Sequence, residues 1–314
     1  MIHFSDEQVD RALEGADVVG TLGRAFADFA QAGAAMQERI RTEARGAKLS
    51  TMGGVWPGEG FLGAKVYSTI AGQFNFVIVL FSAKTGEALA TFDANALTRW
   101  RTAAVSVLAA RSLADPGSSV LALFGTGVQA WAHARALAAA FPIRSLRVVS
   151  RGSGKAFVER ARAELDIDTA ALPAQAALDG AQLVVTATRS TVPLFQGDWV
   201  KAGAFVAAVG SSLPNTRELD DSLLSRARAV VVEWKPQSLR EAGDWLLAEP
   251  AVRERLTVLE LGDLVARRAT VPNAPGDVTI FKSVGVGLED VAVAGLVWQR
   301  ATQLGLQTPS NRKG

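Results

Sequence analysis

The segment Val120-Leu121-Ala122-Leu123-Phe124-Gly125-Thr126-Gly127-Val128-Gln129-Ala130 decides how the rest of this 314-residue chain is read. Five apolar residues make a buried strand, and a turn of small residues passes the chain directly to a helix. The turn has G-x-G-x-x-A spacing. Its first glycine permits the tight bend, the second lets the main chain approach a pyrophosphate, and Ala130 keeps the helix close to the strand. The helix N-terminus adds oriented N–H donors for an anion. A glycine pattern alone also describes any turn that needs small residues. The strand before it, the helix after it and the alternation beyond it select the nucleotide reading. Gly125, Thr126, Gly127, Val128 and Gln129 are therefore candidate cofactor-binding residues.

Downstream, apolar runs recur at 146–149, 183–186, 205–209 and 229–232, with helical stretches at 128–140 and 154–165 between the earlier ones. Repeated strand–helix–strand units predict an α/β fold with a parallel doubly wound sheet. Upstream, Ser5 with Gln8 reads as a capping box. Leu22, Phe26 and Phe29 mark a second helix over 18–32. Short apolar runs broken by glycine then fill 40–92, including 61–66 and 76–81, with a hairpin turn at Lys84-Thr85-Gly86-Glu87. Thr98 reads as the cap of a helix to about 114, where Asp115-Pro116-Gly117 breaks it. Residues 291–304 read as a closing helix and 307–314 as a polar tail.

Composition excludes several classes. Lys and Arg number 33 against 31 Asp and Glu, and no basic run or aromatic-basic stripe appears, so nucleic acid is not an expected partner. The chain has no Cys, which excludes disulfides, thiolate nucleophiles and Cys-ligated metal. His3 and His133 are too few for a histidine metal centre or a Ser-His-Asp triad, and no metal site is expected. His133, six residues after the glycine turn, reads as a packed helix residue. The start lacks a basic n-region and an apolar h-region, and no window reaches ~18 uninterrupted apolar residues. The expected location is the cytoplasm, with no membrane partner.

For NAD, the second strand of such a sheet should end in Asp or Glu, which binds the ribose hydroxyls. Here it ends in Ser150-Arg151-Gly152-Ser153-Gly154-Lys155, without a carboxylate. Arg151 is placed to pair with a 2′-phosphate, assisted by Ser150, Ser153 or Lys155; a solvated basic loop is the plainer alternative. NADPH is expected over NADH, which stays possible.

Two cations sit where an apolar core would not choose them. Lys65 lies in Phe61-Leu62-Gly63-Ala64-Lys65-Val66-Tyr67. Burying its ammonium is costly unless an anion or a hydrogen-bonding site receives it. On an edge strand the same lysine would only deter aggregation. Arg101 falls in the first turn of the helix that Thr98 would cap, where a cation opposes the helix dipole. An anion nearby is implied: a substrate carboxylate, a cofactor phosphate or a neighbouring acid at the surface.

Taken in order, Gly63-Ala64-Lys65-Val66, Leu97-Thr98-Arg99-Trp100-Arg101-Thr102-Ala103-Ala104 and the glycine turn resemble the ornithine cyclodeaminase/μ-crystallin family. Val209-Gly210-Ser211-Ser212-Leu213-Pro214 with Arg217-Glu218-Leu219-Asp220, and Phe281-Lys282-Ser283-Val284-Gly285 with Asp290, extend the likeness over nearly the whole chain. The resemblance implies a homodimer in which a Rossmann domain, 115–289, is inserted in an α+β substrate-binding and dimerisation domain, 1–114 plus 290–314. It implies that Lys65 is the active-site lysine, that Arg101 and Arg39 bind the substrate carboxylate, and that Thr102 lies near the cofactor phosphates. Thr186, Ala187, Thr188 and Val284 join the expected cofactor contacts, since ligands of such sheets bind outside the carboxyl ends of the strands.

One departure sorts the family's chemistries. Ornithine cyclodeaminases carry Asp where Ser212 stands, and a hydroxyl cannot accept a proton as that carboxylate would. Ser at this place resembles the ketimine reductases. The implied reaction is NAD(P)H-dependent hydride transfer to the C=N carbon of Δ1-pyrroline-2-carboxylate or Δ1-piperideine-2-carboxylate, giving proline or pipecolate. Lys65 would tune protonation of the imine nitrogen, and Ser212 would hydrogen-bond that nitrogen or a water. Ornithine cyclodeamination, alanine-dehydrogenase-like deamination, opine-type reductive amination and a non-catalytic nucleotide-dependent binding protein remain alternatives.

Overall fold

The computed structural model describes residues 1–152, 154–272 and 278–306, so Ser153 and the 307–314 tail lie outside the described residues. The chain forms two compact units: Met1–Thr102 with the chain from Gly285 onward, and Ala103–Val284.

The first unit opens with β1 (Ile2–Phe4), α1 (Asp6–Leu13) and α2 (Val18–Ala30). Ser5 and Gln8 close a complete capping box on α1. Strands β2 (Ala35–Met36), β3 (Ile40–Ala44), β4 (Ala47–Trp56), β5 (Phe61–Ile70), β6 (Gln73–Ser82) and β7 (Ala88–Asp93) follow, and α3 spans Ala94–Leu113. The sheet order is β1-β7-β6-β5-β4-β2 with β3 on β4, antiparallel except where β1 joins β7. β5 is an interior strand, so Lys65 has no edge role.

Helix α3 corrects one expectation. It begins at Ala94, not at Thr98, because its N-terminus is capped from a distance: Asp6 accepts from the Ala96 amide at 2.7 Å and from the Asn95 amide group at 3.0 Å. Thr98 is therefore inside the helix, Arg101 is beyond the first turn, and the dipole argument for an anion at Arg101 does not hold. The unit boundary also falls within α3, at Thr102/Ala103, and not at Asp115-Pro116-Gly117. A Pro-Gly signal ends a helix, whereas a unit is delimited by what each turn packs against.

The second unit is built on β8 (Val120–Phe124), α4 (Val128–Ala140), β9 (Ser145–Val149), α5 (Gly154–Leu165), β10 (Asp168–Ala171), α6 (Ala174–Leu178), β11 (Leu183–Thr186) and β12 (Phe205–Ala208). After these come α7 (Asp221–Ser225), β13 (Ala227–Val232), α8 (Lys235–Glu241), α9 (Gly243–Leu246), α10 (Pro250–Arg253), β14 (Val258–Glu260), α11 (Leu261–Val265) and β15 (Val278–Lys282). All eight strands are parallel in the order β10-β9-β8-β11-β12-β15-β13-β14, the doubly wound Rossmann arrangement with two further strands beyond β15. β11, β12 and β15 are buried along their whole length, as expected for strands covered on both faces. Phe124, Val184, Val206, Leu223 and Ile280 meet in one core cluster.

The last helix, α12 (Gly287–Gln303), returns to the first unit and packs on β4, β5 and α2. Its first turn touches strand backbone. A Cβ on Gly54 would lie 2.8 Å from the Leu288 Cα, and one on Gly287 would lie 2.3 Å from the Gly53 carbonyl oxygen. α12 starts four residues before position 291 because this glycine-to-glycine approach holds the turn, a contact invisible to periodicity. The added turn carries Glu289 and Asp290, where the helix dipole favours acids. Among the described residues no helix is long and apolar enough to cross a membrane.

Candidate active site

In the first unit, alternation along β5 turns Lys65 to the same sheet face as Phe61 and Tyr67 and leaves it 3% exposed. Its Nζ donates to Thr98 Oγ1 at 2.6 Å, stands 3.4 Å from Asp290 Oδ1, and lies 4.6 Å from the centroid of the Phe76 ring. Arg101, one turn on from Thr98 and 7% exposed, donates from Nη1 to Glu289 Oε2 at 2.7 Å, with Nε 3.5 Å from Asp290 Oδ1. The neighbouring acid foreseen as one alternative for Arg101 is thus real, but it is buried and not superficial. Arg39 donates from Nη2 to the Gly285 carbonyl at 2.9 Å and from Nε to Met52 Sδ at 3.4 Å. Gly285 adopts φ +75°, and a Cβ there would lie 2.6 Å from Arg101 Nη1. Glycine is needed at this position both for the backbone and for the guanidinium.

Burial lowers the Lys65 pKa to about 8, with Arg101 and Arg39 adding to the effect and Asp290 opposing it. A lysine poised near neutrality in a group of cations is the pattern of a functional amine. Thr102 is buried and its hydroxyl donates to the Thr98 carbonyl at 2.7 Å.

In the second unit, Gly125 has φ +113°, and a Cβ there would lie 2.6 Å from the Ala187 carbonyl oxygen. Its amide donates to Val149 O at 2.9 Å, and Ala187 N donates to Phe124 O at 2.9 Å. The ends of β9 and β11 thus flank the turn, at the point where strand order reverses. A Cβ on Gly127, the residue that caps α4 without any side-chain bond, would meet nothing within 4 Å. This open N-terminus fits a pyrophosphate. Ser150 and Arg151 are exposed just past the end of β9.

Thr186, Thr188, Gly210 and Ser211 converge on one side chain. Glu218, fully buried, accepts from Thr186 Oγ1 at 2.8 Å, Thr188 N at 2.7 Å and Oγ1 at 2.8 Å, Gly210 N at 2.8 Å and Ser211 N at 3.2 Å. Burial pushes its pKa up while Lys282 pulls it down. Asp244 accepts from the Glu218 and Leu219 amides at 2.6 and 2.9 Å and pairs with Lys282 Nζ at 3.0 Å. Ser212, half-buried, follows on this held loop. Val284 is buried after β15, its amide donating to Glu233 at 3.2 Å; it lies three strands from the glycine turn in the sheet order. His133 is buried between Ser106 Oγ (2.9 Å) and the Gln129 carbonyl (2.7 Å), a packed helix residue.

Sequence reasoning did not single out Glu289, Asp290 and Glu218 as side chains of the site. Acids within the otherwise apolar 284–297 run carry the same signal that marked Lys65.

An all-parallel doubly wound sheet with a glycine turn at its switch point defines a dinucleotide-binding protein. More narrowly, the chain belongs to the ornithine cyclodeaminase/mu-crystallin family, whose profile it matches over residues 4–305. The ketimine reductase mu-crystallin of Rattus norvegicus is 33% identical over 307 residues, covering 94% of this chain and 95% of the relative. A solved structure described as a probable ornithine cyclodeaminase from Bordetella pertussis Tohama I is 52% identical, with TM-score 0.93 over 97% of this chain and 98% of that one. The Δ1-pyrroline-2-carboxylate reductase of Thermococcus litoralis, solved with NADH and L-proline, is 26% identical with TM-score 0.90 over 98% and 99%.

Proposed function

We propose that this protein is an NAD(P)H-dependent reductase of cyclic α-imino acids, taking Δ1-pyrroline-2-carboxylate or Δ1-piperideine-2-carboxylate to proline or pipecolate. The observation that carries this reading is a buried Lys65–Arg101 cluster in a chain with a hydroxyl, Ser212, where cyclodeaminases have a carboxylate. The names of the rat and Thermococcus relatives support it.

When bound, the reduced nicotinamide supplies a hydride. The chain's own residues do the rest. Amides of the 125–129 turn hold the pyrophosphate, with Thr186–Thr188, Thr102 and Val284 as further cofactor contacts. Arg151 with Ser150 takes a 2′-phosphate, which favours NADPH while leaving NADH usable. Arg101 and Arg39 grip the carboxylate and orient the imine. Lys65 holds a proton on Nζ over much of the neutral range, donates to the carboxylate and tunes protonation of the imine nitrogen. Ser212 hydrogen-bonds that nitrogen or a water.

The reading includes a cytoplasmic homodimer. By strand register Ile40, Leu49, Val55, Ile70 and Val77 share the sheet face opposite Lys65, and each is more than two-fifths exposed. Exposed apolar side chains on one sheet face, set among Thr42, Thr51 and Ser68, support a protein interface there.

Oxidation of NADPH, followed optically with each imino acid and repeated with NADH, tests the proposal. Absence of oxidation with both substrates defeats it. The 52%-identical Bordetella structure favours ornithine cyclodeamination as a second reading, for which proline and ammonia formed from ornithine is the distinguishing assay.

A further inference from the structure

Lys65, Arg101 and Arg39 bring three basic groups into one neighbourhood of the first unit, an arrangement that repels itself. The acids that answer it come from one turn of α12. Glu289 accepts from Arg101 Nη1 at 2.7 Å. Asp290 works differently: a single oxygen, Oδ1, lies 3.4 Å from Lys65 Nζ and 3.5 Å from Arg101 Nε. Its other oxygen makes no hydrogen bond among the described residues, so its pairing is directed at the two cations. Both acids are fully buried.

We infer that Asp290 is the positioning residue of the site, aiming the Lys65 ammonium and keeping it charged to meet a substrate carboxylate. The inference rests on the reductase reading and deepens it. Asp290 acts through Lys65 and does not touch substrate. Of the groups around Nζ, Thr98 of α3 is neutral and Phe76 of β6 offers only a ring face. Arg101 of α3 and Arg39 before β3 repel, while Glu289 of α12 is engaged by Arg101. Asp290 is left as the charge that attracts. Burial already holds the ammonium near pH 8 against that attraction, so without Asp290 both desolvation and two guanidiniums would push the proton off.

The test compares wild type, Asp290→Asn, Asp290→Glu and Lys65→Arg by two readouts. One is the pH dependence of kcat/KM for NADPH-dependent reduction of Δ1-pyrroline-2-carboxylate, which reports free-enzyme ionisations. The other is NMR titration of protein labelled at lysine Cε, where the Lys65 resonance is the one missing from Lys65→Arg. In wild type both place the loss of the proton at about pH 8. Asp290→Asn moves both midpoints down by about one pH unit or more, the loss of one favourable charge interaction. Asp290→Glu keeps the midpoint near that of wild type but lowers kcat, since the charge is retained and the aim is not. A folded Asp290→Asn with an unmoved Lys65 midpoint overturns the inference and leaves Asp290 a tie between α12 and its neighbours. Should Asp290→Asn not fold, an Asp290→Glu with undiminished kcat overturns it equally. If wild type does not reduce the imine, the reductase reading falls, while the NMR titration still decides whether Asp290 holds the Lys65 proton.

Discussion

At the residue scale the decisive group is Lys65, whose ammonium is held against its own desolvation. Replacing it by Ala removes the hydrogen-bonding and charged end and leaves the glycine turn's own residues unaltered. Lys65→Ala is therefore expected to bind NADPH with unchanged affinity while losing about a hundredfold or more in turnover, the scale of a lost acid–base group. Cofactor fluorescence titration beside steady-state rates checks this, and a parallel loss of NADPH binding contradicts it. The same lysine links stability to pH. Its folded pKa, about 8, lies below the 10.5 of an unburied lysine, so between these limits the unfolded chain binds more protons and the group's contribution to stability rises with pH. Measured against Lys65→Met, wild type should gain relative stability from pH 8 to pH 10.5, on the order of 3 kcal/mol at most. Urea unfolding across that range reads the slope, and a flat difference refutes the depressed pKa.

At the scale of elements, function gathers where strands end. Gly125 follows β8 with the ends of β9 and β11 bonded on either side, and the buried Glu218 ties the segments after β11 and β12 together through five donors. Gly125→Ala drives a methyl carbon to 2.6 Å from a carbonyl oxygen at a φ that alanine resists. It should weaken binding of both NADPH and NADH by at least about tenfold, given the cost of a forced left-handed backbone. Arg151→Ala should act on one cofactor only. Losing a charge-assisted contact to a 2′-phosphate lowers kcat/KM for NADPH by about tenfold or more and leaves NADH unchanged. No loss with either cofactor would return Arg151 to the solvated loop that sequence allowed, and equal losses with both would remove the 2′-phosphate role.

At the scale of the whole molecule the first unit's sheet has two different faces. One carries Lys65 beneath α12; the other shows Ile40, Leu49, Val55, Ile70 and Val77 to solvent in this single chain. A double variant, Leu49→Glu with Val77→Glu, places two charges on that exposed face. It should shift the protein from dimer to monomer in sedimentation experiments while its helix content stays intact. A wild-type chain that sediments as a monomer removes the proposed interface.

Where short-range physics dominates, sequence and structure coincide. The capping box at Ser5, the glycine turn, α4, α5 and the fully buried β11 all follow from periodicity, from φ requirements and from the rule that doubly covered strands are apolar throughout. The parallel sheet follows too, because repeated strand–helix units have few other ways to bury their faces. What tertiary structure alone decided involves partners distant along the chain. Asp6 starts α3 five residues early, glycine contacts between β4 and α12 extend the last helix, and that added turn sets Glu289 and Asp290 against Arg101 and Lys65. The sequence determined that Lys65 and Arg101 needed an anion; only the fold, by closing a loop of more than two hundred residues, decided that part of it is the protein's own.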